Sequence, residues 1–571
     1  MANFFEDNKD LLFHLENTDL DDVINIMEKN FEESKTFDYA PRNLKEARKG
    51  YVEILKVAGE IMANTVAPNA ESVDEHGCTL HNGKVDYAEG TKENLRVILG
   101  ADLGGMTLPR RFGGLNLPTT VSTMVIEMVS RADASLMNIV GLQDIGETIN
   151  EFASEEIKAK YLPMFTSGKV TGAMILTEPD AGSDLQAVQT KAVLDEKTGE
   201  WHLYGVKRFI TNGCADISLV LARSEAASKD GRGLSMFIIE KDETVQIRRI
   251  EDKHGIHGSP TCEMQFNGTK ALLVGKRKLG LIRYVMALMN GARLSVSAQG
   301  IGIAEAAYRE SLKYAKEREQ FGEPIINFPA VYDMLTKMRA EIEGARAIEY
   351  ETCRYVDLKK AYTGLNEHEP ENKEYKEKLK KYSNIAALLT PMAKAYSTEM
   401  SNRVTYDAVQ IHGGTGFMRD FPVERYSRDA RITNIYEGTT QLQVIAAIGG
   451  IVNGTLDELL NDYSNAEYPR ELHNVAEALS SIRSMLNRCI NIFAEKNDKE
   501  FQSYFARNVV DMACELFIGY RMLKLSTKDD RKKIVTRFFV EKAFANALKL
   551  SEPIIKGNTT AITNREEICL I

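Results

Sequence analysis

Glu437 is the first residue whose surroundings suggest chemistry, because Gly438, Thr439 and Thr440 follow it directly. This order predicts a helix start, where free backbone N–H groups could hold a developing oxyanion beside the carboxylate. The same pattern fits a glutamate that only caps the helix. Taken alone, the segment favours the cap.

Three glycines, Gly413, Gly414 and Gly416, lie upstream of this glutamate in the segment QIHGGTGF. Glycines free the backbone for close approach to a ligand. Charged residues crowd the stretch between the two segments more densely than a structural role alone requires. Together, the two segments indicate a ligand site.

Two further stretches place hydroxyl groups where strand character gives way to a turn. In MILTEPDAGSD, Thr177 precedes a turn that contains Ser183, and such hydroxyl and N–H groups suit a polar ring edge or a phosphate. In KRFITNG, the strand residues Phe209 and Thr211 precede Asn212-Gly213, a strong turn signal. A threonine on a strand before Asn-Gly usually marks only a hairpin.

A third stretch, YAKEREQFGEPI, is predicted to close a long helix with Arg318, Gln320 and Phe321. It offers a cation and an aromatic ring, although a helix C-terminus attracts arginine without any ligand. The nearby NGARLSVSAQGIGIAEA lacks the third glycine and the preceding strand of a dinucleotide-binding turn. The histidines of KHGIHGSPT have no nearby cysteine or acidic partner, so no metal site is expected.

These motifs belong to segments with different hydrophobic periods. Apolar residues follow helical spacing over 41–166, short alternating runs separated by turns occupy 167–280, and helical spacing returns over 281–450. Residues 1–40 form an N-terminal extension, and 451–571 form an appended helical domain. The predicted fold class is therefore mainly α with a central antiparallel β-domain.

Two stretches within the helical segments are interpreted from their composition. Residues 363–381 are almost wholly polar and contain Gly and Pro, which predicts an exposed loop between two long helices. Residues 531–550, RKKIVTRFFVEKAFANALKL, are basic and amphipathic enough for peripheral contact with a membrane. An ordinary core-packing helix with a solvated basic face is favoured.

Composition limits the class of protein. The chain has 571 residues and a formal net charge of -10, which works against binding to nucleic-acid phosphates. Seven cysteines without metal-ligand spacing indicate reduced thiols in a reducing compartment. The acidic N-terminus has no targeting character, and no run reaches the length of a membrane span. We expect a folded cytoplasmic protein without a nucleic-acid partner.

Six segments occur in an order known from one enzyme family. LTEPDAGSD, KRFITNG, GSPTCEMQF, EREQFGEPI, QIHGGTGF and IYEGTTQLQ each resemble a segment of the acyl-CoA dehydrogenases, over roughly residues 41–450. The resemblance implies an N-terminal helical domain, an antiparallel β-barrel or sandwich and a C-terminal four-helix bundle, with extended FAD between domains. The appended helical domain matches the larger members of the family.

The resemblance assigns FAD contacts to two sets of positions. The first set contacts FAD at the flavin ring, at the pyrophosphate region and just after the glutamate: Thr177, Ser183, Phe209, Thr211, Thr439 and Gln441. The second set completes the FAD site with a neighbouring subunit: Arg318, Phe321, Gln410, Gly413 and Gly414. A homo-oligomer is therefore implied. Phe209 replaces the tryptophan common in the family, and Phe328-Pro329 replaces its Phe-Gln pair.

Glu437 resembles the family's catalytic base. The resemblance implies that it removes the α proton of an acyl-CoA thioester while its backbone N–H and the FAD ribityl hydroxyl polarise the carbonyl. The β hydride passes to flavin N5, and trans-2-enoyl-CoA results. Some relatives carry their base near position 292, but this chain has Ala292 there. Substrate contacts are implied at Ser183, Ser259, Thr261, Arg293 and Gly438.

The resemblance also implies a metabolic role and an assembly. It implies fatty acid β-oxidation, with electron-transferring flavoprotein as the electron acceptor. An acyl-CoA oxidase that uses oxygen, or a non-catalytic assembly partner with the same fold, remains an alternative. Compact relatives bury their C-terminal bundles as dimers of dimers, so an extra helical domain on that face predicts a homodimer.

Overall fold

The first part of the chain is helical. The computed structural model describes residues 2–570. The helices that precede the main sheet are α1 Lys9–Asn17, α2 Asp21–Met27, α3 Leu44–Ile61, α4 Ala67–His76, α5 Glu89–Gly100, α6 Thr119–Ala132, α7 Ala134–Val140, α8 Ile145–Phe152 and α9 Glu155–Thr166. A short hairpin of β1 Thr79–His81 and β2 Lys84–Asp86, which periodicity did not predict, interrupts them. Leu11 and Val23 of the first two helices are buried in the main core.

The middle of the chain folds into a small barrel. Its strands are β3 Gly172–Ile175, β4 Lys191–Asp195, β5 Glu200–Thr211, β6 Ile217–Arg223, β7 Leu234–Glu240, β8 Val245–Ile250 and β9 Thr261–Leu273. They follow the order β3-β6-β4-β5-β9-β7, a further pairing of β6 with β7 closes the ring, and β8 pairs with β9. The pairings are antiparallel except that β3, and β4 at its first residue, run parallel to β6.

Long helices follow the barrel. They are α10 Met286–Glu317, α11 Pro329–His368 and α12 Lys373–His412, and the shorter α13 Val423–Thr433 and α14 Thr440–Val452 come after them. Helices α10, α11 and α12 pack against one another, and α14 packs against α12. Helix α6 also packs along α10, so the N-terminal helices and the bundle share one hydrophobic core. The predicted order of helices, sheet and helices is confirmed.

The exposed loop predicted over 363–381 is wrong in its extent. Helix α11 continues to His368 and α12 begins at Lys373, so only a short break separates them. The side chain of Asn372 caps α12 by accepting a hydrogen bond from the Tyr375 N–H at 3.3 Å. The lysines and glutamates that suggested a loop are strong helix formers, and here they cover the solvated face of two helices.

The segment EREQFGEPI does not close a helix as predicted. Helix α10 ends at Glu317, and a small hairpin of β10 Glu319–Gln320 and β11 Glu323–Pro324 follows. Phe321 and Gly322 form its two-residue turn with φ of 52° and 89°. Positive φ at both central residues is the geometry of the tightest hairpins.

The appended region is also helical, as predicted. It comprises α15 Thr455–Ser464, α16 His473–Lys496, α17 Lys499–Ser526, α18 Asp530–Ile555, α19 Thr560–Thr563 and α20 Arg565–Cys569. Helix α17 packs against α11, α12 and α14, and α18 packs against α16 and α17. Among residues 2–570, no helix combines the length and the apolar character that crossing a membrane requires.

A buried cluster of charges ties the two ends of the chain to the bundle. The Arg346 guanidinium of α11 is fully buried and donates to Asp10 at 3.0 Å, to Glu127 at 2.6 Å and to Glu305 at 2.9 Å. Lys532 of the appended region bonds to the same Asp10 and, at 2.7 Å, to Glu343 of α11. The cluster therefore joins α1, α6, α10, α11 and α18.

We predict that Arg346→Ala lowers the free energy of unfolding by about 3–5 kcal/mol, because it leaves buried carboxylates without their cation. Chemical denaturation followed by circular dichroism measures the change. Arg488→Ala is the control, because Arg488 is exposed on α16. Equal effects of the two substitutions would contradict a central role for the cluster.

Candidate active site

Glu437 lies in a tight turn between α13 and α14. Glu437 and Gly438 adopt positive φ values of 53° and 88°. Thr439 is the N-cap of α14, and its hydroxyl accepts a hydrogen bond from the Leu442 N–H at 3.4 Å. The interpretation of Glu437 as the helix cap is therefore wrong, and its carboxyl group is not used by the helix.

Side chains from two helices hold the backbone of this turn. Lys394 of α12 donates to the carbonyl oxygens of Tyr436 at 3.0 Å and Gly438 at 2.8 Å. Gln443 of α14 donates to the carbonyl oxygens of Glu437 at 3.2 Å and Gly438 at 2.9 Å. A left-handed conformation is costly for a glutamate, and these bonds offset that cost.

A buried polar network fixes the residue before the glutamate. The Tyr436 hydroxyl lies within hydrogen-bond distance of the side-chain oxygens of Asn138 in α7, at 3.0 Å, and of Gln299 in α10. Asn138 in turn donates to the Ser259 hydroxyl at 3.2 Å. Side chains from the N-terminal helices, the barrel's last connecting loop and the bundle therefore meet beside Glu437.

Glu437 is half-buried, so part of the residue is open to solvent. Burial raises its pKa, and the nearby cations Lys394 and Arg293 oppose that rise. Among residues 2–570, no group donates a hydrogen bond to this carboxyl. A carboxyl group with a raised pKa and no committed partner can accept a proton from a bound ligand.

Arg293 and Lys394 are the cations of this site. Both are buried, and burial lowers the pKa of each, that of Lys394 to about 7. Arg293 donates to the Asn290 side chain at 3.0 Å, while its Nε has no partner within residues 2–570. The arginine was predicted from the sequence as a substrate contact, and the structure places it near Glu437.

The strand ends of the barrel carry the predicted ring contacts. Thr211 ends β5 and pairs directly with Thr261 at the start of β9. Phe209 lies in an irregular part of this pairing, with φ of 61°, and 51% of it is exposed. The backbone of Thr177 accepts a hydrogen bond from the Arg208 N–H at 3.1 Å, which holds its loop against β5.

The hairpin alternative for Asn212-Gly213 is wrong. Strand β5 pairs with β4 and β9, and the following strand β6 does not pair with it. Asn212 instead adopts φ of 54° and donates from its side chain to the Gly172 carbonyl at 3.0 Å. This turn therefore leads the chain out of the β5–β9 ladder and joins it to β3.

The two predicted serines lie in different surroundings. Ser183 is exposed in the loop after β3. Ser259 is fully buried, and its hydroxyl bonds to Asn138 and to the Ile256 carbonyl at 3.2 Å. Their roles as cofactor and substrate contacts stay predictions, and any contact of Ser259 with a ligand needs its present bonds to change.

The second set of predicted cofactor contacts lies far from Glu437. Gly413, Gly414 and Gln410 are exposed at the C-terminal end of α12, and the Arg318–Phe321 hairpin ends α10 beside them. Tyr314 joins the two helix ends by stacking on His412 at 4.2 Å. The stretch of α12 from Lys394 to His412 spans about 27 Å at the rise of an α-helix.

Sequence reasoning missed Lys394, Gln443 and Asn138, which organise the turn that carries Glu437. Lys394 stands alone as a charge in the segment LLTPMAKAYS, where its helical neighbours are buried. A single lysine on the apolar face of a helix is a signal that could have identified it. Thr439 caps α14, and Gln441 is exposed on that helix's first turn.

Four family models match consecutive parts of the chain. They describe the N-terminal domain of acyl-CoA dehydrogenase over 51–169, its middle domain over 173–269, its C-terminal domain over 282–448, and an "Acyl-CoA dehydrogenase C terminal" region over 452–557. A 3-methylmercaptopropionyl-CoA dehydrogenase of Ruegeria pomeroyi is 36% identical over 438 residues, which cover 72% of this chain and 71% of that protein. The chain belongs to the acyl-CoA dehydrogenase family.

Solved structures share the acyl-CoA dehydrogenase fold. The acyl-CoA dehydrogenase of Bacillus anthracis, solved as a complex with FAD, has a TM-score of 0.75 at 24% identity and covers 88% of each chain. A chain in the structure described as the electron transferring flavoprotein of Acidaminococcus fermentans has a TM-score of 0.59 at 34% identity, covering 71% of this chain and 98% of that chain. The appended helices have their own acyl-CoA dehydrogenase family model.

We predict that Gly438→Ala disturbs the turn more than its backbone strain alone explains, because a Cβ there meets the Gln443 amide at 2.7 Å. Gly454→Ala is the matched control, with φ of 92° but no atom within 4 Å of the added Cβ. Both should lose roughly 1–2 kcal/mol to strain. Hydrogen exchange over 436–440 should rise only in Gly438→Ala, and equal exchange would contradict the role of Gln443.

Proposed function

We propose that this acyl-CoA dehydrogenase family member removes hydrogen from the α and β carbons of an acyl-CoA thioester, with Glu437 as the base. The observation that carries the proposal is the half-buried Glu437 carboxyl group, which has no hydrogen-bond partner inside residues 2–570. A resting carboxylate with committed partners would have to break them before it could take a proton. Glu437 has no such obstacle.

The cofactor is FAD, and the described residues suit it. Phe209 offers an exposed ring at an irregular strand end, and the paired Thr211 and Thr261 offer hydroxyls beside it. Thr177 lies on the neighbouring loop. An aromatic face with adjacent hydroxyls matches a flat, polar-edged ring system. When bound, FAD supplies the acceptor of the β hydride at its N5.

The chain's own residues would act on the thioester in three ways. Glu437 takes the α proton, and burial that raises its pKa strengthens it as a base. The backbone N–H of Glu437 has no backbone partner in residues 2–570, so it can donate to the thioester carbonyl. Arg293 and Lys394 keep the carboxyl ionised until the proton arrives. The product would be a trans-2-enoyl-CoA.

The two distant sets of cofactor residues support a homo-oligomer. Gly413 and Gly414 have open space where a Cβ would point, and Phe321 and Phe417 are 97% and 80% exposed near them. An exposed aromatic patch of this kind favours a covering partner. We propose that a second copy brings this end to the neighbouring FAD. Because α17 already covers α11, α12 and α14, we propose a dimer.

We propose electron-transferring flavoprotein as the electron acceptor and fatty acid β-oxidation as the pathway. The similarity to a chain from the Acidaminococcus fermentans structure supports this acceptor. The buried side chains of α18, which include Phe539 and Val540, support a core-packing helix over a membrane-binding one. A cytoplasmic location and the five-segment division of the chain stay predictions.

We predict that Glu437→Gln keeps FAD but slows flavin reduction by roughly 10²–10⁴-fold, because an amide cannot accept the α proton. Anaerobic bleaching of the flavin absorbance by a panel of acyl-CoA thioesters measures the rate. Glu317→Gln is the control, since Glu317 is exposed at the end of α10. Unchanged reduction would remove Glu437 as the base, and oxygen uptake after bleaching would indicate an oxidase.

We predict that Arg318→Ala lowers the FAD content of the purified protein, because a charge-assisted bond to the pyrophosphate is lost. Arg318 is exposed and forms no ion pair inside residues 2–570, which leaves it available. Lys316→Ala, two positions upstream, is the control. Absorbance measures the flavin content per chain. Light scattering should show a dimer for the wild type and for both variants. Equal FAD content would contradict the assignment, and a tetramer would contradict the dimer.

A further inference from the structure

Lys394 is a fully buried lysine beside the Glu437 turn. None of it is exposed, although lysine is rarely buried without a strong reason. Its ammonium forms no ion pair with a carboxylate of residues 2–570. It donates instead to two backbone carbonyls, those of Tyr436 at 3.0 Å and Gly438 at 2.8 Å. These are the residues on either side of Glu437.

The two bonds restrain the backbone from which the Glu437 side chain projects. Rotation of the peptide planes at 436–438 would swing the carboxyl group and the free N–H of Glu437 together. Lys394 restrains two of these planes, and Gln443 restrains the Glu437 carbonyl from the other side at 3.2 Å. Lys394 on α12 and Gln443 on α14 therefore hold a turn in which Glu437 takes a left-handed conformation that is costly for a residue with a side chain.

Lys394 also contributes charge without blocking the carboxyl group. The charged groups that face it are Glu437, Arg293 and Glu399. Glu399 is already engaged by the Thr440 hydroxyl at 2.7 Å and the Asn434 amide at 3.2 Å. The hydrogen bonds of Lys394 go to carbonyl oxygens. Its positive charge therefore acts on Glu437 while the carboxyl oxygens of Glu437 stay free for the substrate.

We propose that Lys394 is a positioning residue for the base, which holds the Glu437 turn by its backbone carbonyls and keeps the carboxyl ionised through its positive charge. This inference rests on the proposed function of Glu437. Lysine suits the task better than arginine would, because a compact ammonium can point at two carbonyls from one helix position.

The sign of the pH dependence follows from the two groups. Burial lowers the pKa of Lys394 to about 7, so its charge is present below that pH and fades above it. Glu437 must be ionised to act, and burial raises its pKa. The charge of Lys394 is therefore present on the acid side, where Glu437 would otherwise be protonated. Removing it should raise the pKa of the base.

The test compares Lys394→Met, Lys394→Gln and Lys394→Arg with the control Lys380→Met, an exposed lysine on the same helix. Flavin reduction by an acyl-CoA is followed across acidic and neutral pH. In the Met and Gln variants, the acid limb of the rate profile should move up by roughly one pH unit. Lys394→Arg should restore the position of the limb in part, and the control should leave it unchanged.

A second readout does not need turnover. Infrared difference spectra between acidic and neutral pH contain a carboxylic acid stretch of Glu437, which is identified by its absence in Glu437→Gln. The pH at which that band has half of its full intensity, the infrared midpoint, should rise by roughly one unit in Lys394→Met and Lys394→Gln. Lys394→Gln keeps an amide donor group, and it alone is used for the test if Lys394→Met does not fold.

The results distinguish a failure of the Lys394 proposal from a failure of the proposed function. A rate loss that is equal at every pH, with an unmoved infrared midpoint, would overturn the proposal and leave Lys394 a structural residue. Failure of the wild type to reduce its flavin with any acyl-CoA would overturn the proposed function, while the infrared midpoint would still decide the effect of Lys394 on Glu437.

Discussion

The Glu437 turn is the constraint on which the other parts of the structure converge. No hydrogen bond from residues 2–570 reaches the Glu437 carboxyl oxygens, so the bonds that hold this residue act on its backbone and on its neighbours. Lys394 and Gln443 hold its backbone, and Asn138 and Gln299 hold Tyr436. These four side chains come from α12, α14, α7 and α10, so the N-terminal helices and the bundle must fold together before the site exists.

The order of helices and strands could be predicted from hydrophobic periods, and the site's location from six ordered motifs. The local geometry of the turns and of the candidate site could not be predicted from the sequence. Residues 363–381 were interpreted as a loop because polar composition does not distinguish a solvated helix face from coil. The EREQFGEPI hairpin was missed because Phe321 takes a positive φ that its residue type rarely adopts. Lys394 was missed because its bonds go to backbone atoms that no motif records.

The appended helices are part of the same physical unit as the bundle. Helix α17 packs against the helices that carry Lys394 and Gln443. Its Arg507 lies 3.8 Å from Glu399, the residue that binds Thr440 at the end of the Glu437 turn. The region after residue 452 thus supports the two helices from which the turn is held.

The buried charge cluster has a consequence for how the chain is made. Arg346 and Asp10 lie in the first two thirds of the sequence, but Lys532 belongs to α18, close to the C-terminus. During synthesis Asp10 and Glu343 leave the ribosome long before this lysine, so before α18 is made they pair with arginines of α11, Asp10 with Arg346 and Glu343 with Arg339. The last long helix thus completes the cluster: a chain released before α18 lacks Lys532, the cation that joins Asp10 to Glu343.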